Sequence, residues 1–232
     1  MKFKRLVVFL CLICMTCCSV FAENKFVKVV LVGDYSSGKT SIWKKMLDES
    51  FDSEVQQSES FTFSSITRED GDDILCITLW DTAGLDKYYD EVVNFTRDAN
   101  FVFIVHDLYK RCDAEVEVYL SKIYRDVHER ISPESKVVLV GSKYDLRHKD
   151  IVNSSKQAEL LKSVAEHIPC PYVYTSAKDP NDAGIQELLN YVVKQCRSMT
   201  LPNKHSLVGS IKFNADIAES KEELKNDGCV IC

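Results

Sequence analysis

The sequence predicts an α/β three-layer sandwich with a mostly parallel sheet and one antiparallel edge pair. Three observations lead there. Short apolar runs alternate with amphipathic stretches of helical period along the body of the chain. Two β-rich runs are joined by Glu69-Asp70-Gly71-Asp72, a hairpin signal. A glycine-rich loop separates the first apolar run from the first helical stretch.

Residues 26–32 read as a buried strand ending at Gly33, and residues 39–47 as a helix. Residues 61–68 and 74–80 are the hairpin strands. Residues 101–105 form another run of the buried type. Over residues 114–130, Val116, Leu120, Ile123, Tyr124 and Val127 share one face of an amphipathic helix. Residues 136–141 are an apolar strand. Ser154-Ser155-Lys156-Gln157 is a capping box, and Leu160, Leu161, Val164 and Ile168 continue its helix. A short strand over 172–175 precedes a last helix carrying Ile185, Leu188, Leu189, Val192, Val193 and Cys196.

A length of 232 residues predicts one domain, or a domain with tails. Its 45% hydrophobic and 28% charged residues exclude a mostly disordered chain and a polytopic membrane protein. A net charge of -6 argues against a broad basic surface, so no nucleic-acid partner is expected. Of ten cysteines, only Cys76, Cys112, Cys170 and Cys196 lie in the body. They show no zinc-type spacing and read as reduced thiols.

Gly33-Asp34-Tyr35-Ser36-Ser37-Gly38-Lys39-Thr40 matches G-x-x-x-x-G-K-[ST] in full, between a strand and a helix. Backbone N–H groups of such a loop wrap phosphate oxygens at a helix N-terminus. Lys39 would neutralise the β- and γ-phosphates, and the Thr40 hydroxyl would ligate Mg²⁺. Trp80-Asp81-Thr82-Ala83-Gly84 closes a strand. There Asp81 could hold Mg²⁺ through water, and the Gly84 N–H could meet a γ-phosphate. Ser142-Lys143-Tyr144-Asp145 follows the strand over 136–141. The Asp145 carboxylate can accept two hydrogen bonds from the guanine edge, and the Lys143 stem can lie along the base. Thr175-Ser176-Ala177-Lys178 follows a short strand, and its backbone at Ser176, Ala177 and Lys178 could contact the base.

These four motifs, in this order, resemble the Ras-like small GTPases, the Rab branch most closely. The resemblance covers about residues 25–197. It implies a P-loop NTPase fold with a six-stranded sheet and five helices. It implies a monomeric GTP/GDP switch, using Mg²⁺, that recruits effectors to a membrane, with an exchange factor and prenylation machinery as further partners. By the family's spacing, Ser58 stands at the first-switch Mg²⁺ position. The catalytic positions would be Lys39, Thr40 and Gly84, with Leu85 at the water-positioning place. Several residues depart from the family pattern. Leu85 replaces the usual Gln, Tyr35 a small residue, Ser142 the usual Asn and Ser58 the usual Thr. A leucine cannot hydrogen-bond to water, so slow hydrolysis is expected, or a nucleotide-binding scaffold that scarcely turns GTP over. Tyr35 would crowd an arginine supplied in trans.

The ends give conflicting readings. Residues 1–22 hold a basic start and an uncharged apolar run to Ala22, containing Cys11, Cys14, Cys17 and Cys18. The run reads as a signal peptide or signal anchor, as a membrane-surface segment accepting palmitate, or as a start-site artefact. Residues 25–198 form the domain, and residues 199–232 a polar tail. That tail ends Gly228-Cys229-Val230-Ile231-Cys232, a prenylation-type pattern with an unusual last residue. One prenyl chain binds membranes marginally, so the N-terminal segment or a second lipid on Cys232 would be needed. Prenylation is cytosolic and signal cleavage is not. The expected place is the cytosolic face of an internal membrane. A lumenal body, the alternative, would carry glycans at Asn94-Phe95-Thr96 or Asn153-Ser154-Ser155.

Overall fold

The computed structural model describes residues 24–53, 61–71, 73–109, 114–148, 156, 159–160, 162–164 and 168–202. Six strands form one sheet: β1 (Asn24–Val32), β2 (Thr62–Asp70), β3 (Asp73–Asp81), β4 (Phe101–Asp107), β5 (Lys136–Ser142) and β6 (Tyr172–Tyr174). Their order is β2-β3-β1-β4-β5-β6. All neighbours pair in parallel except β2 and β3, the expected hairpin, whose register runs from Thr62↔Asp81 to Asp70↔Asp73.

The helices are α1 (Lys39–Met46), α2 (Tyr89–Phe95), α3 (Ala114–His128) and α4 (Gly184–Cys196). Residues 156, 159–160 and 162–164 are also helical, where the capping box predicts a helix; Ser154 and Ser155 lie outside the described residues. The sequence reading missed α2 and the 3₁₀ turn before it, Asp86–Tyr88. Seven residues give barely two turns, too few for a period to show.

Side-chain alternation along the strands builds the three layers. Val27, Val29 and Leu31 of β1 join Phe101, Phe103 and Val105 of β4 on one face. There they meet Ile42, Trp43 and Met46 of α1 and Leu188, Leu189 and Val192 of α4. Val30, Val32, Val102 and Ile104 face the other way, against Val92 and Val93 of α2 and Leu120, Ile123 and Val127 of α3. Each such side chain contributes about 1.5–3 kcal/mol when fully buried. That explains the apolar runs of the inner strands, which are covered on both faces. Cys76, Cys170 and Cys196 are free thiols, as expected, and Cys112 lies outside the described residues. Burial pushes Cys170 up to about 11 and Cys196 up to about 12.

Helix α2 is fastened at both ends. At its start the Tyr89 hydroxyl donates to Asp126 Oδ2 of α3 at 2.8 Å. Lys122 Nζ lies 3.6 Å from the Tyr89 ring centroid and 3.3 Å from Asp126. Burial raises the Tyr89 pKa above its ordinary value, so the hydroxyl stays a donor at neutral pH. Near its end Arg130 Nε donates to Asn94 Oδ1 at 3.2 Å. The Phe95 ring lies 4.7 Å from that of Trp80 and 4.9 Å from that of Phe61. Lys28 Nζ donates to the Phe95 carbonyl at 2.9 Å. Removing the Tyr89 hydroxyl should cost about 1 kcal/mol locally, a roughly fivefold rise in opening of residues 85–95. Amide hydrogen exchange of Tyr89→Phe against the parent checks this, and equal exchange would mean the contact holds nothing.

Candidate nucleotide-binding site

Because β1, β3, β4, β5 and β6 run in parallel, their carboxyl ends reach one edge of the sheet. The four sequence motifs follow β1, β3, β5 and β6, so they converge on that edge. Ligands of open α/β sheets bind there, outside the strand ends.

The first loop lies against β4. A Cβ on Gly33, at φ +144, would sit 2.2 Å from the Val105 carbonyl oxygen, so no side chain fits. Ser36 takes a left-handed conformation at φ 56, and Gly38 at φ 95 opens α1. Lys39 is buried, and its Nζ donates to the carbonyls of Gly33 at 3.1 Å and Asp34 at 3.0 Å. The ammonium therefore sits inside the curl of the loop. Tyr35 is 36% exposed, and its N–H donates to Asp34 Oδ1 at 2.7 Å.

The second motif is tied to the first. Thr40 Oγ1 donates to Asp81 Oδ2 at 2.7 Å. A hydroxyl and a carboxylate thus meet at the foot of the loop, and this hard oxygen pair fits Mg²⁺ chemistry. Thr82 Oγ1 donates to the Leu31 carbonyl at 2.7 Å, joining the end of β3 to β1. A Cβ on Gly84 would lie 2.5 Å from Lys39 Nζ and 3.0 Å from Tyr35 Cα. A side chain here would also press on the backbone of the first loop, with the Asp34 carbonyl oxygen 2.9 Å from the added Cβ. Leu85 is half-buried and lines a small hollow with Tyr89, Val92, Tyr119 and Ile123.

The third and fourth motifs interlock. Ser142 Oγ donates to the Ser37 carbonyl and, at 3.1 Å, can reach that of His106. This hydroxyl fastens the first loop to the end of β4. Lys143 takes a left-handed conformation at φ 58. Asp145 Oδ1 accepts from Ser176 Oγ at 2.6 Å, and the Ser176 hydroxyl accepts from the Lys178 and Asp179 amides at 3.2 and 3.1 Å. Ala177 is buried beside them. Tyr144 N donates to the Thr175 carbonyl at 3.1 Å.

Of the residues expected at the site, Ser58, Cys229 and Cys232 lie outside the described residues. The others stand on this edge. Two supporting residues escaped the sequence reading. Asp107, at the end of β4, pairs with Lys143 at 2.8 Å. Asp182 accepts from Thr175 Oγ1 at 2.6 Å and from the Gly184 amide at 3.0 Å, fixing the fourth motif to the start of α4. Neither belongs to a motif. The signal for Asp107 is its place two residues after the end of an apolar run.

Comparison with known proteins agrees with this geometry. A profile of the Ras family matches residues 28–198. The Ras-related protein RABA1c of Arabidopsis thaliana is 27% identical over 208 residues, 87% of this chain and 92% of that protein. The Ypt/Rab-type GTPase YPT7 of Saccharomyces cerevisiae is 29% identical over 189 residues, 77% of this chain and 86% of the relative. Ras-related protein Rab-28 of Caenorhabditis elegans is 32% identical over 159 residues, 67% and 62% of the two chains. The chain belongs to the Ras family of small GTPases, on its Rab-like branch.

Proposed function

We propose that this chain is a guanine-nucleotide switch in membrane traffic whose GTP hydrolysis is slow. The observation that carries this is the convergence of four nucleotide-type motifs on one sheet edge, each tied to another by a hydrogen bond. In this reading the amides of residues 33–40 and Lys39 bind the phosphates. Thr40, Asp81 and Ser58 hold Mg²⁺. When bound, that ion supplies charge neutralisation at the β- and γ-phosphates. Asp145, its rotamer held by Ser176, accepts from the guanine edge. Lys143 lies along the base, with Ser142, Ala177 and Lys178 beside it.

Specificity for guanine is the first test. Adenine lacks the donor pair that a carboxylate reads. GTP and GDP should bind well above ATP in a fluorescence titration. Asp145→Ala should weaken both guanine nucleotides by about 1.5–3 kcal/mol, the worth of a hydrogen bond to a charged group. Equal affinity of the parent for ATP and GTP would remove the reading.

Hydrolysis separates a slow switch from a scaffold that binds GTP and scarcely turns it over. The family's rate comes from positioning water and stabilising charge on the γ-phosphate. Leu85 offers water no hydrogen bond and packs toward α2 and α3. Intrinsic turnover should be at or below about 10⁻⁴ s⁻¹, the Ras scale. In single-turnover assays Leu85→Gln should raise it several-fold while leaving nucleotide affinity nearly unchanged. A parent that already hydrolyses faster than this would show that another group, Asp86 being adjacent, positions the water.

The domain boundaries at 25 and 198, a monomeric state, the regulators named above and attachment through Cys229 belong to the same proposal. Among the described residues no helix is long and apolar enough to cross a membrane. Asn94 contacts Arg130, and Thr96 is buried with its hydroxyl donating to the Val93 carbonyl. Asn94 is exposed, so this sequon would be open to a glycan if the body were lumenal. Cys229→Ser should move a good part of the protein to the soluble fraction. Intact mass of the membrane-extracted parent should show a prenyl addition and no glycosidase-sensitive shift. Unchanged membrane association of the variant would assign the anchor to residues 1–22, and a glycan would put the body in the lumen.

A further inference from the structure

At the sheet edge, Lys143 of the third motif forms an ion pair with a residue that no motif contains. Asp107 is the last residue of β4 and pairs in register with Ser142 of β5. Its side chain is only 7% exposed, yet it carries a carboxylate. Burying such a group is unfavourable unless it is paired and hydrogen-bonded. Both oxygens are engaged. Oδ2 accepts from Lys143 Nζ at 2.8 Å, and Oδ1 accepts from the Tyr109 amide at 2.8 Å. The backbone around Lys143 is already fixed: the Leu108 amide donates to the Ser142 carbonyl and the Tyr144 amide to the Thr175 carbonyl. What remains free to move is the lysine stem, which has among the largest rotamer entropies of any side chain.

We propose that Asp107 is a positioning residue for nucleotide retention, holding the Lys143 ammonium so that its stem is set before a guanine base arrives. This rests on the guanine-nucleotide reading above. A stem fixed beforehand loses no rotamer freedom on binding, and preorganisation of this kind shows mainly as slower release. Asp107 acts through Lys143 and touches no base itself. Its second bond, to Tyr109, sets the carboxylate's own direction.

The test is a double-mutant cycle on the full chain, read as the release rate of N-methylanthraniloyl-GDP. Asp107→Asn removes the charge and keeps an acceptor for the Tyr109 amide. It should speed release about tenfold, equivalent to about 1.4 kcal/mol. In a Lys143→Met background, where no ammonium remains to hold, the same change should alter release less than twofold. Acceleration by the same factor in both backgrounds would mean that Asp107 merely braces β4, and would overturn the inference. So would release at the parent rate in the single variant. If Asp107→Asn does not fold, Asp107→Ser, which can also accept from Tyr109, is read by the same criteria. A parent that binds no guanine nucleotide overturns the functional reading; a binding parent whose Asp107 variants release normally overturns only the role of Asp107.

Discussion

Everything at the nucleotide-type edge depends on β1 and β4 being buried on both faces. A strand covered by helices on either side cannot present its side chains to a ligand. Only its end can. The inner strands of the sheet run in one direction, so their ends coincide. The chemistry-bearing loops are therefore neighbours although the residues that join them lie 31 to 105 residues apart in sequence. Gly33 marks the tightest point of this arrangement, where the β1 loop touches the backbone of β4 with no room for a Cβ.

The sheet edge is also where polar groups are buried. Lys39, Asp81, Thr82, His106, Asp107, Ser142, Thr175 and Ser176 are all nearly inaccessible. A buried donor or acceptor left unmade costs about 1–3 kcal/mol. These groups meet that demand largely between loops: Thr40 to Asp81, Ser142 to Ser37 and Ser176 to Asp145 across motifs, and Lys143 to Asp107 at the end of β4. Each loop thus completes another's hydrogen bonding. A substitution in one motif is felt in its neighbour, so such sites resist being divided into independent contributions.

The fold was legible in the sequence because its signal is local. Apolar runs bounded by glycine and polar residues gave all six strands, and helical spacing gave α3 and α4 with the faces they bury. What was illegible had no local period or depended on distant partners. Helix α2 spans too few residues to show a face. Strand β4 was read as ending at Val105, because His106 and Asp107 are polar; pairing with Gly141 and Ser142 carries it two residues further. The same misjudged end hid Asp107. Asp182 did carry a local signal, a carboxylate two residues ahead of the first residue of α4, where an Asp commonly accepts from a free helix amide. Motif residues announce themselves by spacing, whereas the residues that hold them do not.

The departures from the family pattern are not alike in physical terms. Ser142 is shorter than the asparagine the family uses, yet its hydroxyl spans from β5 to the first loop and β4. The smaller group braces the loop. Leu85 and Tyr35 differ in kind. Leucine substitutes an apolar surface for a donor and acceptor, and its neighbours in the hollow are mostly apolar or aromatic: Val92, Tyr89, Tyr119 and Ile123. Tyr35 adds a partly exposed ring to the loop. On the proposed reading, the groups that would retain a nucleotide are kept or replaced by ones able to make similar bonds. The positions that would serve water or an incoming arginine carry Leu85, which has no hydrogen-bonding group, and Tyr35, a partly exposed ring. In that reading the two halves of the switch cycle have been separated, with binding preserved and turnover relinquished.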